Sequence, residues 1–129
     1  MLINSFFTPI NLPQFVEELN NEMPVKFSSG VRINPEHSIF KGHFPEQPIV
    51  PGVTYIEMIR EIMELVFKKK FLLKEASNIK FLLITNPLLN ADLITEFSLI
   101  IKEGNLISTK VLITSENGAV IKFDGIFST

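Results

Sequence analysis

The chain has 129 residues, 46% of them apolar, with a net charge of −2 and no cysteine. That length suits one domain, residues 1–129, and folding should bury somewhat over ~60% of the surface the unfolded chain exposes. The charge gives no basic stripe for nucleic acid, and the missing cysteines exclude disulfides and thiol chemistry.

In chain order, Met1–Phe7 has no basic stretch and no long apolar run, so it does not read as a secretory signal. Nothing in the sequence approaches the ~20 apolar residues of a membrane span, and the expectation is a cytoplasmic protein. Residues 13–20 predict a short helix, with Pro13 in its first turn and Phe15, Val16 and Leu19 on one face. Residues 25–33 alternate: Val25, Phe27, Val31 and Ile33 share one side, and Lys26, Ser28 and Arg32 the other. That period of two predicts a half-buried strand. A proline-rich loop follows from Pro35 to Gly52. Residues 53–69 contain neither Pro nor Gly and predict a long helix. Its apolar face is Val53, Ile56, Ile59, Ile62, Met63 and Val66. Glu57, Arg60, Glu61, Glu64 and Lys68 form a polar stripe. Strands are expected at 78–85, 91–102, 105–115 and 118–127, with hairpin turns at Gly104-Asn105 and Asn117-Gly118. The order is strand, loop, long helix and four antiparallel strands, an α+β arrangement in which a sheet face and a helix bury one another.

The chemistry concentrates in Gly42-His43-Phe44-Pro45-Glu46-Gln47-Pro48-Ile49-Val50-Pro51-Gly52-Val53-Thr54-Tyr55-Ile56-Glu57. Three prolines stiffen the loop, because each fixes φ and removes a donor. His43 titrates near neutrality and suits a general base, while Glu57 suits a general acid. Gly52 puts an unobstructed N–H near a helix N-terminus, where partial positive charge collects. Other readings stand beside these. His43 suits a structural histidine, Glu57 suits the closing residue of a Thr54–Glu57 capping box or a solvated position, and Gly52 suits a turn. His37, with Glu36 and Glu46 near it, matches no usual ligand spacing, so no metal is expected there. It reads as a loop residue beside Phe40 and Phe44 at a pocket mouth.

The pattern His-Phe-Pro-x-x-Pro-x-x-Pro-Gly-Val, with a Glu fourteen residues after the His, resembles the 3-hydroxyacyl-[acyl carrier protein] dehydratases. The match covers about Asn34 to Glu57. The resemblance implies a hot-dog fold, a curved antiparallel sheet wrapped around one long central helix. It implies a homodimer or higher homo-oligomer with sheets joined edge to edge, in which the His and the acid of one site come from different subunits. It further implies elimination of water from a (3R)-3-hydroxyacyl thioester carried by an acyl carrier protein, with no cofactor. His43 and Glu57 would be catalytic, and Gly52, Val53, Phe44 and Pro51 would bind substrate. Lys68–Lys70 suits a solvated helix C-terminus, where cations are favoured, or, with Lys41 or Lys80, a docking spot for the acidic carrier.

Two departures from the family pattern are visible. Glu61 stands where the family commonly has Gln; it either raises the pKa of Glu57 or marks a changed site. Phe81–Asp92 replaces a shorter Phe-Lys-x-Pro-x-x-Pro-Gly-Asp segment that shapes the acyl tunnel in relatives. Two other functions fit the same fold: a non-catalytic or partner-dependent acyl-thioester-binding subunit, and a hot-dog thioesterase.

Overall fold

The computed structural model of the chain describes residues 1–42, 49–89 and 91–129. Its elements are β1 (Phe7–Asn11), β2 (Val25–Ile33), a 3₁₀ turn (Ser38–Lys41), α1 (Gly52–Phe67), β3 (Leu72–Phe81), β4 (Asp92–Glu103), β5 (Leu106–Ser115) and β6 (Gly118–Ser128). Six strands form one sheet in the order β1-β2-β4-β5-β6-β3, each antiparallel to its neighbours.

The alternation in β2 sets its register against β4. Val25, Val31 and Ile33 are buried while Lys26, Ser28 and Arg32 face water. Phe27 lies opposite Phe97, and their rings stack with centroids 4.6 Å apart. Arg32 lies opposite Asp92 and pairs with it at 2.7 Å. The alternating apolar residues of β4, β5 and β6 continue the same inner face with Leu93, Leu99, Ile107, Val111, Ile113, Ile121, Phe123 and Phe127, all buried. The two hairpin turns fall where expected, with Gly104 at φ +55° and Gly118 at φ +121°, values that L side chains rarely adopt.

The helix lies against this face. Met58, Ile59, Ile62 and Met63 are fully buried in one core cluster with the sheet residues. Each such side chain contributes about 2 kcal/mol of burial. The expected apolar face is partly corrected. Tyr55 and Met58 belong to the buried side, and Val53 is 76% exposed. The polar stripe is also corrected, because Glu61 is buried at 2% exposure. The helix ends at Phe67, two residues before the expected end. Lys68 takes a left-handed conformation (φ 56°) and its N–H donates to Glu64 O at 2.9 Å.

Three further expectations change. Residues 13–20 form no helix. Phe15 is 82% exposed, so no buried face rewards a helical turn. The segment instead runs past β4, where Ile101 N–H donates to Asn20 O at 2.8 Å. β1 is an element beyond those the sequence predicts. Pro9 interrupts its alternation, as suits an edge strand, and a register shift falls between Pro9 and Asn11. The strand expected at 78–85 lies at 72–81. β3 is the other sheet edge and is exposed on both sides, so it carries no alternation to read.

Candidate active site at the helix N-terminus

Helix α1 begins at Gly52, with Pro51 as its N-cap (φ −63°, ψ 140°). A helix starting there excludes the Thr54–Glu57 capping box. Thr54 is already inside the first turn, and its N–H donates to Pro51 O at 3.0 Å. Proline supplies no capping oxygen, and the first turn contains no acidic residue. The amides of Gly52 and Val53 have no partner within the helix, and no side chain of the cap answers its positive end. That leaves a donor pair suited to an oxygen that becomes negative.

Two contacts hold this end in place. Val50 N–H donates to Thr85 O at 3.1 Å, tying the chain before the helix to the segment after β3. The Phe81 ring lies over Gly52, where an added Cβ would come within 2.6 Å of it. The first position of the helix therefore has to be glycine unless Phe81 moves. Phe81 is itself 59% exposed, and Val53 at the helix start and Leu82, Leu83 and Ile84 after β3 are exposed apolar side chains as well. Beneath them, Tyr55 and Thr85 are buried, and neither hydroxyl has a hydrogen-bond partner of good geometry among the described residues. Burial pushes the Tyr55 hydroxyl up to about 12.

Glu57 lies one and a half turns into the helix, with its side chain 41% exposed. Arg60 holds it. Nε reaches both carboxylate oxygens at 3.1 Å, and Nη2 also donates to Oε1. The Arg60 guanidinium holds the Glu57 carboxyl below the usual carboxylate range against partial burial, and the Met1 amino charge lowers it further. The expectation that Glu61 raises Glu57 is thus not met. Glu61 is engaged elsewhere, accepting Leu2 N–H on both oxygens and Ile3 N–H on Oε1, each at 2.9 Å.

His43 and Phe44 lie outside the described residues, as does the rest of the 43–48 loop. His37 is placed. Its Nδ1 accepts the Ile39 N–H at 3.0 Å, and its ring meets Phe6 edge-on at a centroid distance of 5.5 Å. It caps the 3₁₀ turn. Phe40, expected at a pocket mouth, is buried in the core beside Phe6. Arg60, a member of the expected polar stripe, is the partner of Glu57. The signal was there in the three-residue spacing of the two on one helix.

Residues 19–111 match the ApeI-like family, described as ApeI dehydratase. The chain belongs to that dehydratase family. A 3-hydroxyacyl-[acyl-carrier-protein] dehydratase (FabZ) from Rhizorhabdus wittichii is 26% identical over 117 residues, which cover 91% of this chain and 69% of that protein. Another relative of the same name, from Lactiplantibacillus plantarum, aligns over only 40% of its length. Among solved structures, the dehydratase heterocomplex ApeI:P from Xenorhabdus doucetiae superposes with a TM-score of 0.68 at 16% identity, covering 95% of this chain and 97% of that one. A putative thioesterase, YhdA from Lactococcus lactis, gives 0.61 at 13% identity, covering 96% and 91%. These likenesses establish the hot-dog fold for this ApeI-like chain. No helix among the described residues is long and apolar enough to cross a membrane.

Proposed function

We propose that this ApeI-like chain eliminates water from a (3R)-3-hydroxyacyl thioester on an acyl carrier protein to give the trans-2-enoyl thioester, serving fatty-acid synthesis or a related polyketide or aryl-polyene pathway. The observation that carries this reading is an uncapped helix start at Gly52, with a half-exposed carboxylate on the same helix at Glu57, in a chain of a dehydratase family.

His43 removes the proton at C2, and negative charge builds on the thioester oxygen. The Gly52 N–H and the helix N-terminus stabilise that charge, a contribution of roughly 3–4 kcal/mol per donor. Glu57, protonated, gives its proton to the leaving 3-hydroxyl, which departs as water. Pro51 and Val53 line the entry to this point, and Phe44 is assigned to substrate binding with them by its place in the motif. The exposed apolar side chains at the helix start are covered by a second copy of the chain. That contact desolvates Glu57 and shifts it toward the protonated form that an acid needs. With the His and the acid of one site drawn from two copies, the homodimer is the active unit.

The helix orients the carrier protein too. Lys68–Lys70 lie at its far end, about 24 Å of helix rise from Gly52. Lys41 directly precedes the His43 loop and Lys80 adjoins Phe81, so these two are the better seats for an acidic carrier at the same site. Neutralising them should raise the carrier-protein KM.

One observation favours a second reading. An ionised Glu57 suits activation of water, which is what a thioesterase requires. A mass-spectrometric assay on a panel of 3-hydroxyacyl carrier proteins separates the two, with His43→Ala and Glu57→Gln run beside the parent. Loss of one water from the acyl chain, abolished in both folded variants, supports the dehydratase. Release of free acid supports the thioesterase. No turnover unless a second hot-dog chain is added supports a partner-dependent subunit; the Xenorhabdus structure is named as a heterocomplex.

A further inference from the structure

Arg60 is anchored on the side away from Glu57. Its Nη1 donates to Glu64 Oε2 at 2.6 Å and to Phe71 O at 3.5 Å, and Glu64 Oε2 in turn accepts the Phe71 N–H at 2.9 Å. The anchored end is the drier one, because the Glu64 side chain is 14% exposed and Arg60 24%, against 41% for Glu57. The guanidinium therefore has its orientation set by the far end of the helix and the start of β3. It presents a fixed Nε–Nη2 edge to Glu57, and a carboxylate meeting that edge with both oxygens is fixed in plane as well as in distance.

We propose that Arg60 is a positioning residue that fixes Glu57 in both orientation and charge state, and thereby sets the pH range over which this ApeI-like chain turns over its substrate. The inference rests on the reading of Glu57 as the acid of the site.

Among the described residues, three charged groups face Glu57. Arg60 and Glu61 face it from its own helix, and the Met1 amino group faces it from the N-terminal segment. Glu61 is already saturated by two backbone amides, so its charge is answered locally. Glu64 and the Phe71 backbone act on Glu57 only through Arg60.

The direction of the effect follows from the elimination. The C2–H bond breaks toward His43, the C2=C3 double bond forms, the C3–O bond breaks, and the Glu57 proton completes the water. Glu57 enters protonated and leaves as carboxylate, the form Arg60 binds. The protonated fraction falls as pH rises through the pKa of Glu57, and Arg60 favours the carboxylate. The alkaline limb of the dehydration profile therefore lies at lower pH with Arg60 present than without it.

The test is a ¹³C NMR titration of the Glu57 side-chain carboxyl in the full chain, for the parent, Arg60→Gln and Arg60→Lys, with kcat measured against pH on the same three proteins. The expected midpoint is lowest in the parent, higher in Arg60→Lys, which keeps the charge and loses the fork, and highest in Arg60→Gln. The alkaline limb of kcat moves up in the same order. An unchanged midpoint in all three overturns the proposal, as does a uniform fall in kcat at every pH with no movement of the limb. Should Arg60→Gln fail to fold, the comparison of Arg60→Lys with the parent decides by itself. Because the titration needs no turnover, a shifted midpoint in a parent without dehydratase activity leaves the positioning role supported and removes only the proposed reaction.

Discussion

Two carboxylates one helical turn apart have been given different work by their surroundings. Glu57 reaches solvent and an arginine. Glu61 is turned inward and closes the N-terminal backbone onto the helix. Glu61→Gln keeps one accepting oxygen for those amides, whereas Glu61→Ala leaves them without a partner. We expect the alanine variant to lose about 2 kcal/mol in urea unfolding and the glutamine variant clearly less. For Glu57 the folded-state pKa is depressed, so its stabilising contribution is present above the unfolded carboxylate value. It is lost as pH falls through the lower folded value. Its half-exposed position keeps that contribution small. The Tm difference between the parent and Glu57→Gln should accordingly be present at neutral pH and close in acid. A difference independent of pH would contradict the Arg60 pairing.

The strands differ in how firmly the sequence specifies them. β2, β4, β5 and β6 are half-buried, and their alternation records which face meets the helix. The two edge strands have no such record. β3 is held by backbone pairing with β6 across two register shifts, and this is where a small residue becomes indispensable. A Cβ on Gly125 would lie 2.6 Å from the Phe123 ring and 2.7 Å from the Glu75 backbone oxygen. The ring is buried and the oxygen belongs to the paired strand, so neither neighbour can give way. Gly125→Ala should cost about 1–3 kcal/mol by denaturant unfolding. Gly52→Ala meets only the exposed end of Phe81, which can swing aside, and it should stay within about 1 kcal/mol of the parent. The pair of variants thus separates a backbone conflict from a side-chain one.

At the scale of the whole molecule, the end of β3 and the start of the helix both carry exposed apolar side chains. Phe81, Leu82, Leu83 and Ile84 follow one another out of β3, with Ile84 77% exposed. An edge strand beside such a surface invites pairing with another chain. A second copy placed there would cover both the open ladder and the helix start. Light scattering after size exclusion should give a dimer for the parent, and Leu82→Lys with Ile84→Lys should give a monomer. If each site draws groups from two copies, that monomer should be folded and inactive. An active monomer would remove the shared-site arrangement while leaving the fold untouched.

The sequence by itself determined the periodic parts. A helix long enough to span the sheet, the faces of four strands and both glycine turns follow from spacing and from positive-φ chemistry, which are local properties. The absence of Pro and Gly over 53–69 located the helix, and the structure decided between a start at Gly52 and a cap at Thr54. Tertiary structure decided the rest. Burial turned Glu61 inward and Val53 outward, because only packing tells which part of a helix meets a neighbour. Solvent on one side left residues 13–20 without a helix, since a short helix is stable only when a face is buried. The edge strands drew their bounds from backbone pairing, which imposes no pattern on exposed side chains. The clamp on Glu57 depended on Glu64 and the start of β3 fixing Arg60, contacts between elements that the spacing of residues does not encode.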